Sequence, residues 1–170
     1  MTNAFASSVF DTPVGPLYAR ADAGALTILF FAGRKPRSIS PDGGDASCRK
    51  LLGIAERQIA EYFSGGRTTF DVPLDLKGPQ FHVRVWEALL SIPFGATATY
   101  GEVAKSIGEA GAARAVGAAN AANPIVIIVP CHRVIGADGR LVGYGGGLRR
   151  KRILLDLECG VPAFGFASHV

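Results

Sequence analysis

Apolar positions along this chain follow two rhythms, one of strands and one of helices. Residues 17–20 read as a short strand after the turn Thr12-Pro13-Val14-Gly15-Pro16, and Leu26-Thr27-Ile28-Leu29-Phe30-Phe31 reads as another after Asp22-Ala23-Gly24. Two such runs joined by a Gly-containing turn predict an antiparallel hairpin. Residues 33–48 carry Pro, Gly, Ser and Asp and predict a surface loop. Leu51, Ala55, Ile59 and Phe63 then recur at i+4, one face of a helix that Gly65-Gly66 ends. Phe70, Val72, Leu74 and Leu76 alternate with polar or turn residues, the period of a half-buried strand. The block is a small α/β unit with an antiparallel sheet, and nothing in it forms a chemical pattern.

The pattern changes at Lys77-Gly78-Pro79, which predicts a boundary between an N-terminal structural domain, 1–78, and a mostly helical domain, 79–170. Phe81, Val85 and Leu89 mark a helix that stops at Pro93-Phe94-Gly95. Thr99 with Glu102 makes a capping-box pattern ahead of a short helix over 100–107. A Gly108-to-Gly111 turn and a second helix over 112–122 complete a helix-turn-helix pattern. That second helix is almost all Ala and Gly, with Arg114 as its one long cation. Slim helices suit tight helix packing, and equally suit entry into a narrow groove of a duplex.

Composition narrows the class. The chain has 170 residues, 48% hydrophobic and 19% charged, enough for a packed core. From Phe81 onward there are nine Lys/Arg against six Asp/Glu, while residues 1–80 hold nine against eight, so +3 of the net charge of +4 sits in the later part. That suits a polyanion, or simply a solvated basic face. Cys48, Cys131 and Cys159 have no CxxC spacing, which points away from a disulfide framework or Cys-rich zinc site and toward a reducing cytosol. The N-terminus lacks a secretory pattern, and no apolar run approaches the roughly 18 residues that span a bilayer, so the expectation is a soluble, cytoplasmic protein without a membrane partner.

Chemistry gathers late in the chain. The apolar run Ile125-Val126-Ile127-Ile128-Val129 leads directly into Pro130-Cys131-His132-Arg133-Val134. Cysteine attacks as thiolate, and cationic or imidazole neighbours lower a thiol pKa. A lone Cys-His pair is also compatible with a buried structural cysteine. Downstream, Gly143-Tyr144-Gly145-Gly146-Gly147 forms a flexible loop or exposes backbone N–H groups to a ligand. Leu148-Arg149-Arg150-Lys151-Arg152 opens the last helix with a basic cluster, solvated or set against phosphate, and Leu157-Glu158 closes it with an acid.

Taken together, Asn123-Pro124, Pro130-Cys131-His132-Arg133-Val134-Ile135-Gly136, Arg114-Ala115-Val116-Gly117, Thr99-Tyr100-Gly101 and Gly143-Tyr144 with Gly146-Gly147-Leu148 resemble the O6-alkylguanine-DNA alkyltransferases. The resemblance is dense over residues 81–160 and looser before them. It implies an α+β protein: an N-terminal RNase H-like domain with an antiparallel sheet, then a mostly helical domain with a helix-turn-helix. It implies a monomer that flips a damaged guanine from double-stranded DNA and takes its O6-alkyl group irreversibly; extension to O4-alkylthymine and cooperative binding stay open. By position, Cys131 is the nucleophile, His132 its base through water, Glu158 the orienting acid, and Asn123 the tie between active-site turn and recognition helix. Arg114 fills the gap left by the base, and Tyr100 bonds the flipped base and presses on its phosphate. The carbonyls of Cys131 and Val134 accept from the guanine amine, the Gly145 amide donates to O6, and Tyr144 walls the alkyl pocket. No cofactor and no metal are implied.

Gly145 replaces a hydroxyl- or methyl-bearing residue, which implies a roomier pocket, and Thr97-Ala98-Thr99 stands for the commoner Thr-x-Ser. Glu109-Ala110-Gly111 stands where proline is common. Cys48, Cys159 and His169 receive no role. The rival readings are a damage-binding relative without transfer, a helix-turn-helix regulator whose cysteine is structural, and a cysteine hydrolase.

Overall fold

The computed structural model describes residues 4–33 and 44–161; His169 and residues 34–43 of the expected loop lie outside them. The chain divides between Leu76 and Lys77 into two compact units, an α+β arrangement in which each is built around its own core.

In the first unit β1 (Phe5–Phe10), β2 (Leu17–Asp22) and β3 (Ala25–Phe31) form an antiparallel sheet in the order β1-β2-β3. Ala23 and Gly24 both have positive φ, the requirement of a tight two-residue hairpin turn. Strand β1 escaped the hydrophobic pattern because Ser7 and Ser8 break its alternation. Helix α1 (Ala46–Phe63) buries Leu51, Leu52, Ala55, Ile59 and Tyr62 beside β1 and β2, as its i+4 spacing requires. Residues 70–76 do not form the expected strand. Leu74 makes a single parallel bridge with Leu26, through Leu26 N–H to the Pro73 carbonyl at 2.8 Å and Asp75 N–H to the Leu26 carbonyl at 3.0 Å. Pro73 supplies no N–H, so the ladder stops there.

The second unit holds α2 (Gln80–Leu89), β4 (Ala98–Thr99), α3 (Tyr100–Ser106), α4 (Ala113–Ala121), β5 (Val134–Ile135) and α5 (Leu148–Glu158), with β4 and β5 paired in parallel. Thr99 and Glu102 form the expected capping box, Glu102 N–H to Thr99 Oγ1 at 3.1 Å and Thr99 N–H to Glu102 Oε2 at 2.7 Å. Gly108 solves the turn that lacks proline. With φ of +77° it lets its own N–H reach the Lys105 carbonyl and Glu109 N–H reach that of Ala104, the double bond of a Schellman end. Arg84 on α2 then donates to the Ile107 carbonyl at 2.5 Å and pairs with Glu109.

Helices α2, α3 and α4 pack on one another. Trp86 on α2 is buried and donates its indole N–H to the Ala119 carbonyl of α4 at 2.7 Å. Gly78 lies against the indole so closely that a Cβ there would sit 2.7 Å from Trp86 Cη2. No helix among the described residues is long and apolar enough to cross a membrane.

Candidate active site around Cys131

The run at residues 125–129 is buried throughout, yet it is a succession of tight turns and not a strand. Ile127 has φ of +72°, and Ile128 N–H bonds the Val126 carbonyl at 2.8 Å. That is the positive-φ γ-turn, rare and strained, and rarer still for a β-branched residue. Pro130, at φ −83° and ψ 61°, makes an inverse γ-turn closed by Cys131 N–H on the Val129 carbonyl at 2.8 Å. Asn123 holds the turns together, donating Nδ2–H to the Val129 carbonyl at 2.8 Å and accepting from Ile125 N–H at 3.0 Å. Strain of this kind persists only where the surroundings over-determine it.

Cys131 opens a 3-10 turn, Cys131–Arg133, and is only 3% exposed. Burial pushes its thiol up to about 11, against the lowering effect of a hydrogen bond from Asn123 and the charge of Lys151. The expectation of a thiol acidified by its neighbours is therefore corrected: at neutral pH the sulfur keeps its proton.

His132 is fully buried, with Nε2 2.7 Å from Glu158 Oε1. A carboxylate only accepts, so Nε2 carries the hydrogen and Nδ1 carries the lone pair. Among the described residues Nδ1 has no hydrogen-bond partner. Burial lowers the imidazole pKa, opposed by the Glu158 hydrogen bond, so the ring is neutral and basic at Nδ1.

Arg133 does not serve the thiol. Its Nε donates to Glu158 Oε2 at 2.8 Å, Nη2 to Oε1 at 2.9 Å, and Nη1 to the Ile92 carbonyl at 2.6 Å. Gly95 N–H adds a bond to Glu158 Oε2 at 3.3 Å. Burial raises the Glu158 pKa, but the hydrogen bonds and charges of His132 and Arg133 outweigh it and hold the acid at about 2.

Lys151 is neither of the two things expected of its basic cluster, solvated or set against phosphate. It is 0% exposed and donates Nζ–H to the carbonyls of Val134 at 2.5 Å, Val142 at 3.0 Å and Gly143 at 3.4 Å. The signal was present: Lys151, Leu154 and Glu158 share the buried face of α5. Tyr100 donates its hydroxyl to the same Val142 carbonyl at 2.9 Å. Asn120, on α4, donates Nδ2–H to the Cys131 carbonyl at 3.2 Å. Neither Lys151 nor Asn120 was singled out as a site residue from the sequence.

Cys131, His132, Glu158, Asn123 and Val134 thus belong to one hydrogen-bonded set, with Tyr100 joined to it through the Val142 carbonyl that Lys151 also holds. Tyr144 lies next to the exposed Gly145, and burial raises its phenol pKa. A Cβ at Gly145 would come no nearer than 3.8 Å to the Ala121 carbonyl. Arg114 stands apart, exposed on the first turn of α4.

Comparison with known proteins gives one consistent result. Residues 80–160 match the family described as 6-O-methylguanine DNA methyltransferase, DNA binding domain. The methylated-DNA–protein-cysteine methyltransferase of Mycobacterium tuberculosis is 53% identical over 152 residues, covering 87% of this chain and 88% of that protein. That of Methanosarcina acetivorans is 46% identical over 151 residues, covering 89% and 96%. A crystal structure of the M. tuberculosis OGT in complex with DNA superposes with a TM-score of 0.80 at 49% identity, over 92% of this chain and 93% of that one.

Proposed function

The chain belongs to the methylated-DNA–protein-cysteine methyltransferase family, and on that premise we propose that Cys131 is the cysteine to which the alkyl group moves. The activity is direct-reversal repair, in which the alkyl group of O6-alkylguanine in DNA passes once and irreversibly to the protein. The observation that carries the assignment is the buried chain from Arg133 through Glu158 to His132, beside a cysteine held in a strained turn.

The step follows from that geometry. The lesion must leave the base stack, because an O6 substituent is out of reach inside a duplex. The thiol yields its proton to His132 Nδ1 across one water, and Glu158 steadies the imidazolium that forms. A sulfur–carbon bond forms as the carbon–O6 bond breaks, and the electron pair of that bond stays with guanine, where the Gly145 amide meets O6. Over the whole step the thiol proton ends on guanine, so no cofactor is needed. Tyr100 bonds the flipped base, Tyr144 walls the alkyl pocket, and the bare backbone at Gly145 admits groups larger than methyl.

Helices α3 and α4 act as a helix-turn-helix whose slim second helix enters the minor groove of double-stranded DNA, with Arg114 filling the vacated stack. The first unit is RNase H-like and structural. The protein works in the cytoplasm as a monomer.

Incubation with a duplex carrying O6-methylguanine, followed by intact and peptide mass measurement, tests the reading. One methyl on Cys131, stoichiometric with protein, is expected, and Cys131→Ser should abolish transfer while retaining DNA affinity. Tight binding with unchanged mass would instead identify a damage-binding protein without transfer.

A further inference from the structure

We propose that Arg150 is a positioning residue for the transfer step: its guanidinium pins the turn that carries the Gly145 amide, and so aims that amide at O6 of the departing guanine. The inference rests on the function proposed above, in which that amide meets O6.

Residues 142–147 are held chiefly by their carbonyls. Those of Val142 and Gly143 face Lys151 Nζ at 3.0 and 3.4 Å, and the Tyr144 carbonyl accepts from Gly147 N–H at 2.9 Å, which closes a four-residue turn. The Gly146 carbonyl accepts from Arg150 Nη1 at 3.2 Å. A trans peptide sets each N–H opposite the carbonyl before it. With the Tyr144 carbonyl directed into the turn, the Gly145 N–H points out of it. Among the described residues neither this amide nor that of Gly146 has an acceptor, and Gly145 is exposed.

Two glycines at the centre of a turn have no side chains to fix their peptide planes, and Gly147 after them has φ of +88°. Arg150 supplies that restraint from the first turn of α5. It is half-buried, unlike the exposed Arg149 and Arg152 on either side of it and Lys151, so its guanidinium is turned to the loop and not to solvent. Its charge also lies near the nucleophile. Burial and then the charge of Cys131 raise the Tyr144 phenol pKa, whereas Arg150 lowers it, so sulfur and guanidinium act on one ring. A donor fixed before charge develops on the leaving oxygen needs no reorganisation during the step.

Single-turnover transfer from an O6-methylguanine duplex, followed over a range of protein concentrations, separates the maximal rate from half-saturation. Arg150→Ala should lower the maximal rate by about tenfold, the factor of one net hydrogen bond, with half-saturation and affinity for undamaged duplex unchanged. Arg150→Lys keeps a cationic donor and should recover the rate to within about threefold of wild type. Gly145→Pro removes the amide at a turn position that accepts proline, and should slow transfer by about a hundredfold. In that background Arg150→Ala should add less than about threefold, because its target is gone. Weaker binding with a shallower salt dependence at an unchanged maximal rate would make Arg150 a phosphate contact and overturn the proposal. So would an Arg150→Lys variant as slow as Arg150→Ala, or an undiminished effect of Arg150→Ala in Gly145→Pro. Absence of transfer by the wild type would strike the proposed function itself, a result distinct from any difference among variants.

Discussion

Glu158→Gln removes the negative charge that pairs with the buried Arg133 guanidinium. The side chain is 1% exposed and holds both Arg133 Nε and Nη2, His132 Nε2 and Gly95 N–H. Its displacement from 4.5 to about 2 corresponds to about 3 kcal/mol in favour of the folded state. Truncating one partner of a buried pair costs about 3–5 kcal/mol, because the other charge is stranded. These are two views of one interaction and do not add. For a chain of this length each kcal/mol moves the melting point by about 2–4 °C, so a fall of roughly 10 °C is expected.

The sign with pH follows from the depressed pKa. The contribution is fully present above the ordinary value of 4.5 and is lost as pH falls toward about 2, so the variant should show a flatter stability profile across that window. Transfer to an O6-methylguanine duplex should slow by about a hundredfold or more, since His132 loses its orienting partner. Calorimetry and rapid-quench kinetics separate the two effects. Adding Arg133→Met should restore much of the melting temperature and none of the rate. A single variant melting within about 2 °C of wild type, or a double variant no more stable than the single, would refute the stranded-charge reasoning.

Gly78→Ala should cost about 1–3 kcal/mol by chemical denaturation, because the new Cβ meets an indole already fixed by its bond to Ala119. Asn123→Ala should cost about 2–4 kcal/mol, since it strips partners from the Val129 carbonyl and the Ile125 amide in a buried turn, and it should slow transfer as well. The acid limb of the pH–rate profile should lie below the ordinary histidine value of 6.5, because burial keeps His132 neutral there; a limb above 6.5 would contradict that environment. Methylated protein should melt below the unmodified form, because the added group is forced into a packed turn, and an unchanged midpoint would count against it.

Local pattern made much of the fold legible before any coordinates. The helix periods at Leu51 to Phe63 and Phe81 to Leu89, and the Thr99 capping box, concern residues one turn apart and are written in the chain itself. The expectation at residues 70–76 failed because alternation says nothing about ladder donors, and Pro73 lacks one. At the site, the order of motifs pointed to Cys131, His132 and Glu158. Sequence adjacency does not give the thiol its pKa, because Arg133 turns toward Glu158 and burial governs the sulfur. Asn120 and Lys151 were hidden for a related reason. Their partners are main-chain carbonyls of other segments, which no residue type advertises.

The buried, protonated state of Cys131 bears on how long the protein keeps between synthesis and use. A reagent that acts once is lost as surely to a stray peroxide or electrophile as to its proper lesion. Such agents attack exposed thiolate, and this sulfur presents neither exposure nor charge. On the function proposed here, the molecule therefore has the shelf life of a sealed ampoule, opened only when a damaged base reaches the sulfur.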